Sequence, residues 1–137
     1  MRKIIIVLMA VVLMSSSIMI PVGAAMPENT VQPLWDNTSG IDCTVGFSDD
    51  KGYAECIVIA DYGATRIKTD IFVYKLYNNA WWYITELHDV VYDTVSGSSC
   101  SFDATLGNTY RVDYTFTVTK NGVDEIIDRI VYKTYSN

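Results

Sequence analysis

Three groups of residues in this 137-residue sequence have types that carry chemistry: three cysteines, several close carboxylates around a single histidine, and an aromatic run. Cys43, Cys56 and Cys100 suit a disulfide if the chain reaches an oxidising compartment. A zinc site asks for four ligands, and with His88 as the only histidine and no close cysteine pair, no metal is expected. Asp49-Asp50, Asp89 with Asp93, and Asp124-Glu125 with Asp128 would hydrolyse a glycoside only if two carboxyls faced each other across a cleft. Turn positions and an edge hairpin account for them more simply as solvated groups, and their spacing lacks the repeated D-x-D of a calcium loop. A hydrolytic nucleophile needs a base that a third group orients. His88 stands beside Asp89 with no nucleophile motif near it, and reads as a solvated loop histidine. The chain is therefore expected to be non-enzymatic, with no catalytic residue and no cofactor.

Trp81-Trp82-Tyr83 is the most informative run. On a strand, alternation places Trp81 and Tyr83 on one face and Trp82 on the other, so at least one large ring must face outward. Buried packing under a loop is one reading. The functional one is a binding platform of Trp81, Trp82 and Tyr83, on which a sugar ring or a partner side chain stacks, with Tyr74, Tyr77 or Tyr92 nearby.

The elements that would position these residues are strands. Residues 1–25 carry Arg2 and Lys3, an apolar run from Ile4 to Met14, and small residues at Val22-Gly23-Ala24-Ala25, the layout of a cleavable signal peptide. Ser15-Ser16-Ser17 and Pro21 interrupt the run before the ~20 residues a membrane-spanning helix needs. What remains suffices for one domain and excludes a two-domain enzyme. Beyond the leader, Val, Ile, Thr, Tyr, Phe and Trp far outnumber Ala, Leu and Met, which favours an all-β domain. Residues 26–40, with two prolines and no periodicity, read as an extended lead-in that Trp35 can dock. From Ile41 the chain alternates short β-like runs with turn signals, and no helix of normal length is expected.

Strands are expected over 41–47, 53–60, 66–77, 80–87, 99–105, 110–119 and 123–135. A four-residue Asp49-Asp50-Lys51-Gly52 loop sets Cys43 opposite Val58 and Cys56 opposite Val45, which leaves the two thiols diagonal. Cys56 to Cys100 would join strands two and five, so both pairings stay open beside three unbridged thiols. Asn78-Asn79 is suited to a hairpin turn. For the last hairpin, a two-residue Asn121-Gly122 loop would put Glu125, Arg129 and Lys133 on the core side. A three-residue Lys120-Asn121-Gly122 loop is therefore expected, with Ile126, Ile130 and Tyr132 inward, Asp128 as an awkward inward residue, and Asp113 opposite Arg129. Leu106-Gly107-Asn108-Thr109-Tyr110 looks like a tyrosine corner. The sum is an immunoglobulin-like antiparallel sandwich of about seven strands over 41–137.

Four features, Gly52-Tyr53-Ala54-Glu55-Cys56, the Trp81-Trp82 strand after a hairpin, Gly107-x-x-Tyr110 and the final Asn121-Gly122 hairpin, carry a resemblance across Ile41 to Tyr135. The chain resembles small, uncharacterised secreted β-sandwich proteins of Gram-positive bacteria. That resemblance implies the fold and an extracellular location, whether free or associated with the cell envelope. The net charge of −6 becomes more acidic once Arg2 and Lys3 leave, and the remaining cations are scattered singly, so nucleic acid is not an expected partner. The membrane is expected only through the leader before cleavage. The leading expectation is a secreted module that binds an extracellular glycan or protein. The alternative is a secreted antagonist or toxin-like protein acting on other cells, for which a basic membrane-lytic mechanism is unsuited.

Overall fold

Three two-residue turns organise the chain, each with both residues at positive φ: Asp49-Asp50 (51° and 60°), Asn78-Asn79 (50° and 60°) and Asn121-Gly122 (54° and 74°). That geometry matches the right-handed twist of the strands it joins, and Asn, Asp and Gly are the residues that tolerate it. The computed structural model describes residues 34–137. The signal peptide expected over 1–25, and the lead-in before residue 34, lie outside the described residues.

Within that range the protein is all-β, with seven strands: β1 (Thr38–Ser48), β2 (Lys51–Ala60), β3 (Ala64–Tyr77), β4 (Ala80–Val91), β5 (Val95–Asp103), β6 (Thr109–Lys120) and β7 (Val123–Thr134). They form two antiparallel sheets in the orders β1-β2-β5 and β4-β3-β6-β7. This is an immunoglobulin-like sandwich with its fourth strand kept beside the third. The tight Asn78-Asn79 turn leaves no chain with which to change sheets, so Tyr92-Asp93-Thr94 makes the crossing instead. The His88–Ser98 stretch, expected as loop, is the end of β4, that connection and the start of β5. Its polar residues stand on strands because alternation places them on wet faces.

The core lies between the sheets, where Val58, Ile67, Ile71, Val73, Val112, Tyr114, Phe116 and Val118 are fully buried. Tyr110 ends this layer as the expected tyrosine corner: its hydroxyl accepts the Thr105 backbone N–H at 2.8 Å, and Gly107 takes a φ of +86° within the turn. At the same end Phe47 stacks on Tyr135 with centroids 4.8 Å apart. Gly52 is buried under the Phe102 ring, which comes so close that any Cβ at this position would collide with it.

Two registers differ from expectation. Ser48 pairs with Lys51, so the first loop has two residues rather than four, and Cys43 stands directly opposite Cys56. Positive φ at both aspartates is what permits the shorter loop. Lys120 pairs with Val123, so the last loop is Asn121-Gly122 alone. Ile126, Ile130, Tyr132 and Asp128 consequently face outward, and Asp113 pairs with Ile130 rather than Arg129.

Two of the charges this register turns inward, Glu125 and Arg129, are met by the segment from Trp35 to Thr38. Glu125 accepts hydrogen bonds from the Asp36 N–H (2.6 Å), the Asn37 N–H (3.1 Å) and the Thr38 hydroxyl (2.8 Å). Asn37 donates its side-chain amide to the Val118 and Val123 carbonyls. Arg129 lies over the Trp35 ring, 5.0 Å from its centroid, at cation–π distance. The lead-in thus ends at Asn37, and it docks through Trp35 as the sequence suggests.

Candidate functional site: an aromatic platform on the four-stranded sheet

The outer face of the β4-β3-β6-β7 sheet is fixed by its register. β6 turns Tyr110, Val112, Tyr114, Phe116 and Val118 into the core, so Arg111, Asp113, Thr115, Thr117 and Thr119 face out. Following cross-strand partners from Arg111 gives one row over all four strands: Tyr83, Tyr74, Arg111, Tyr132. The next row is Glu86, Phe72, Asp113, Ile130, and the one beyond it His88, Asp70, Thr115, Asp128.

A single irregularity brings the aromatic run into that row. Val73 pairs with Thr85 and Tyr74 with Tyr83, so Ile84 is an extra residue on β4. Such a bulge reverses which parity of residue faces out. Glu86, His88 and Val90 face outward on one side of it, and Tyr83 and Trp81 on the other. Ile84 itself packs against the core.

The rings form a connected surface. Tyr74 and Tyr83 meet edge to face at 6.2 Å, and the Arg111 guanidinium stands 5.3 Å from the Tyr74 centroid. Trp81 and Tyr132, on the two outermost strands of the sheet, approach to 5.6 Å, so their rings lean toward each other above β3 and β6. Tyr83 and Tyr132 remain 56% and 58% exposed, which leaves ring surface free for a ligand. Arg111 is held by Asp113, with Nε to Oδ1 at 2.7 Å and a terminal nitrogen to Oδ2 at 2.5 Å. That fork fixes the guanidinium plane beside the rings.

Of the residues singled out in the sequence, Trp81 and Tyr83 meet on this platform and Trp82 does not. Trp82 points to the opposite face near the β3–β4 turn, 58% exposed, with its ring 6.0 Å from Tyr77. Tyr74 joins the platform. Tyr92 stands alone in the β4–β5 connection, 80% exposed. Tyr132 and Arg111 were not anticipated, because the expected register turned Tyr132 into the core. The one available signal was the Asn121-Gly122 pair, which favours a two-residue loop.

The polar groups separate rather than converge. His88 lies on β4, not in a loop, with Nδ1 2.5 Å from Asp70 Oδ1 and Nε2 3.3 Å from Glu86 Oε1. Hydrogen bonds to Asp70 and then Glu86 hold its pKa above the ordinary value. Burial alone would push the Asp70 carboxyl up, but hydrogen bonds and charge from Lys68 (2.7 Å) and His88 outweigh it and hold it down. Asp124 pairs with Arg66, Asp128 accepts from Thr115, and Asp89 accepts from Ser98. Asp124 and Glu125 point to opposite faces of β7. Among the described residues, no group of three or more His, Cys, Asp or Glu is placed to hold a metal ion. Cys43, Cys56 and Cys100 all line the inner face of the three-stranded sheet as thiols.

No protein-family model matches the sequence, and no characterised protein matches it by sequence. Solved structures with a similar chain path are distant. CsgH from R. palustris aligns with a TM-score of 0.41 at 10% identity, over 64% of this chain and 87% of that one. The β-glucuronidase of Parabacteroides merdae aligns at 0.42 and 10% identity, over 68% of this chain, which spans only 13% of the enzyme. A protein from Archaeoglobus fulgidus aligns at 0.35 and 10% identity, over 70% and 94%.

Proposed function

We propose that this protein is a secreted, non-enzymatic β-sandwich module that binds an extracellular glycan through the outer face of its four-stranded sheet. The observation that carries the reading is the outward-facing row Tyr83–Tyr74–Arg111–Tyr132, with Trp81 leaning over it. A sugar ring presents apolar C–H faces bounded by hydroxyls. It suits a surface where aromatic rings alternate with carboxylates, a guanidinium and threonine hydroxyls, all on rigid strands. A protein partner would instead favour a larger uninterrupted apolar centre, and here Asp113, Asp128 and Glu86 break the apolar residues apart. The acidic chain directs the reading toward neutral or cationic saccharides rather than anionic ones. The resemblance to secreted proteins of Gram-positive bacteria supports the extracellular setting.

The test is retention of the purified protein on immobilised neutral and amino-sugar polysaccharides, comparing wild type with Trp81→Ala and Tyr132→Ala. Each substitution is expected to weaken retention about tenfold while leaving thermal unfolding close to wild type, because both rings lie outside the core. Unchanged retention in both variants would remove the platform. Retention lost only for a protein ligand would transfer the surface to that partner class.

A further inference from the structure

Cys43 and Cys56 are direct cross-strand partners, and the turn beside them determines the kind of pair they make. Ser48 and Lys51 close a two-residue loop and so exchange backbone hydrogen bonds. Counting along the ladder makes Phe47/Gly52, Val45/Ala54 and Cys43/Cys56 the pairs without backbone bonds. At such pairs the Cα atoms lie ~4.5 Å apart and the side chains approach most closely, within the ~4.4–6.8 Å span of disulfides. Cys100 pairs with Ala54 and meets Cys56 only across the diagonal, where Cα atoms are ~7–8 Å apart.

We propose that Cys43 and Cys56 close as a disulfide between β1 and β2 when the protein meets an oxidising disulfide, leaving Cys100 as a thiol. The oxidant's presence in life rests on the extracellular reading above; the pairing rests on the register alone. Cys43 is the partly exposed member, so its thiolate attacks the reagent disulfide first, forming a mixed disulfide and releasing one thiolate. Cys56 then loses its proton to solvent and attacks the Cys43 sulfur, expelling the second reagent thiolate. Two protein thiols are oxidised by two electrons, and the reagent disulfide is reduced to two thiols. Burial and the neighbouring Cys56 push the Cys43 thiol up to about 12, and burial pushes Cys56 up to about 11. Closure is therefore slow at neutral pH and faster in alkali. Its effect is to tie the edge strand β1 covalently to the middle strand of its sheet.

The experiment treats the purified, native, reduced chain with oxidised glutathione at mildly alkaline pH, followed by intact mass and peptide mapping. The expected product has lost two hydrogens, maps to a Cys43–Cys56 bridge, keeps Cys100 alkylatable after denaturation, and melts about 10 °C higher. Cys100→Ala must still lose two hydrogens, and Cys43→Ala must lose none. A Cys56–Cys100 bridge, glutathione retained on Cys43, or three alkylatable thiols would each overturn the proposal. Polysaccharide retention is read on the same reduced and oxidised samples, so failure of the platform and failure of the bridge are separate results.

Discussion

The Glu125 carboxylate and the Asn37 backbone N–H are 3.1 Å apart, joining the last strand to the segment that precedes the first. Asp36 and Thr38 donate to the same carboxylate. Glu125→Ala leaves these donors unmet and frees the lead-in. Hydrogen bonds to a charged acceptor contribute ~1.5–3 kcal/mol each, net of the bonds to water they replace. Part of this cluster is exposed, so a net loss of about 2 kcal/mol is expected, with the Asp36 and Asn37 amides exchanging faster by hydrogen–deuterium measurement. Glu125→Gln should lose less, since its carbonyl oxygen still accepts.

Gly52→Ala is expected to destabilise the fold by roughly 2 kcal/mol, the cost of overpacking a closed core. The added Cβ points into the Phe102 ring, which would have to shift from its packing on Phe47 and Tyr110. Chemical denaturation checks it, and the double variant with Phe102→Leu should recover part of the loss.

Thr69 is 1% exposed, and its hydroxyl has no hydrogen-bond partner in the protein. Thr69→Val keeps the shape and removes an unpaired polar atom, so a gain of about 1 kcal/mol is expected in the same denaturation measurement. A loss of stability would show that the hydroxyl is satisfied in solution.

The His88–Asp70 pair predicts a titration. His88 has a folded pKa above its ordinary 6.5, so its share of stability is full below that value and disappears as pH rises through the raised one. Asp70 has a folded pKa below 3.8, so its share is full above that value and disappears as pH falls through the lowered one. The pair is intact between those limits. Because the ring is half exposed, NMR of its protons reads the effect better than stability does. Asp70→Asn should bring the His88 pKa down toward 6.5, and Glu86→Gln should do so by less.

The sandwich was legible in the sequence because period-two alternation on β2, β5 and β6 survives intact in the structure. Registers were less legible. Placing Glu125 and Arg129 in water is sound for an isolated hairpin, and it fails because Trp35 to Thr38, nearly ninety residues away, covers that face. The candidate site was half legible. Alternation alone puts Trp81 and Tyr83 together, whereas Tyr74, Arg111 and Tyr132 join them only through pairings between strands distant in sequence.

The extra residue at Ile84 makes the platform a matter of phase. Pairing the same residues without the bulge would set Ile84 opposite Tyr74, turn Trp82 outward and send Trp81 and Tyr83 toward the other sheet, whereas deleting Ile84 leaves Tyr83 opposite Tyr74. One sequence in two pairings would present different surfaces. A one-residue gap at Ile84 between related sequences would therefore keep the same rings outward, and a gap elsewhere between Trp81 and Glu86 would have to be absorbed by the same bulge.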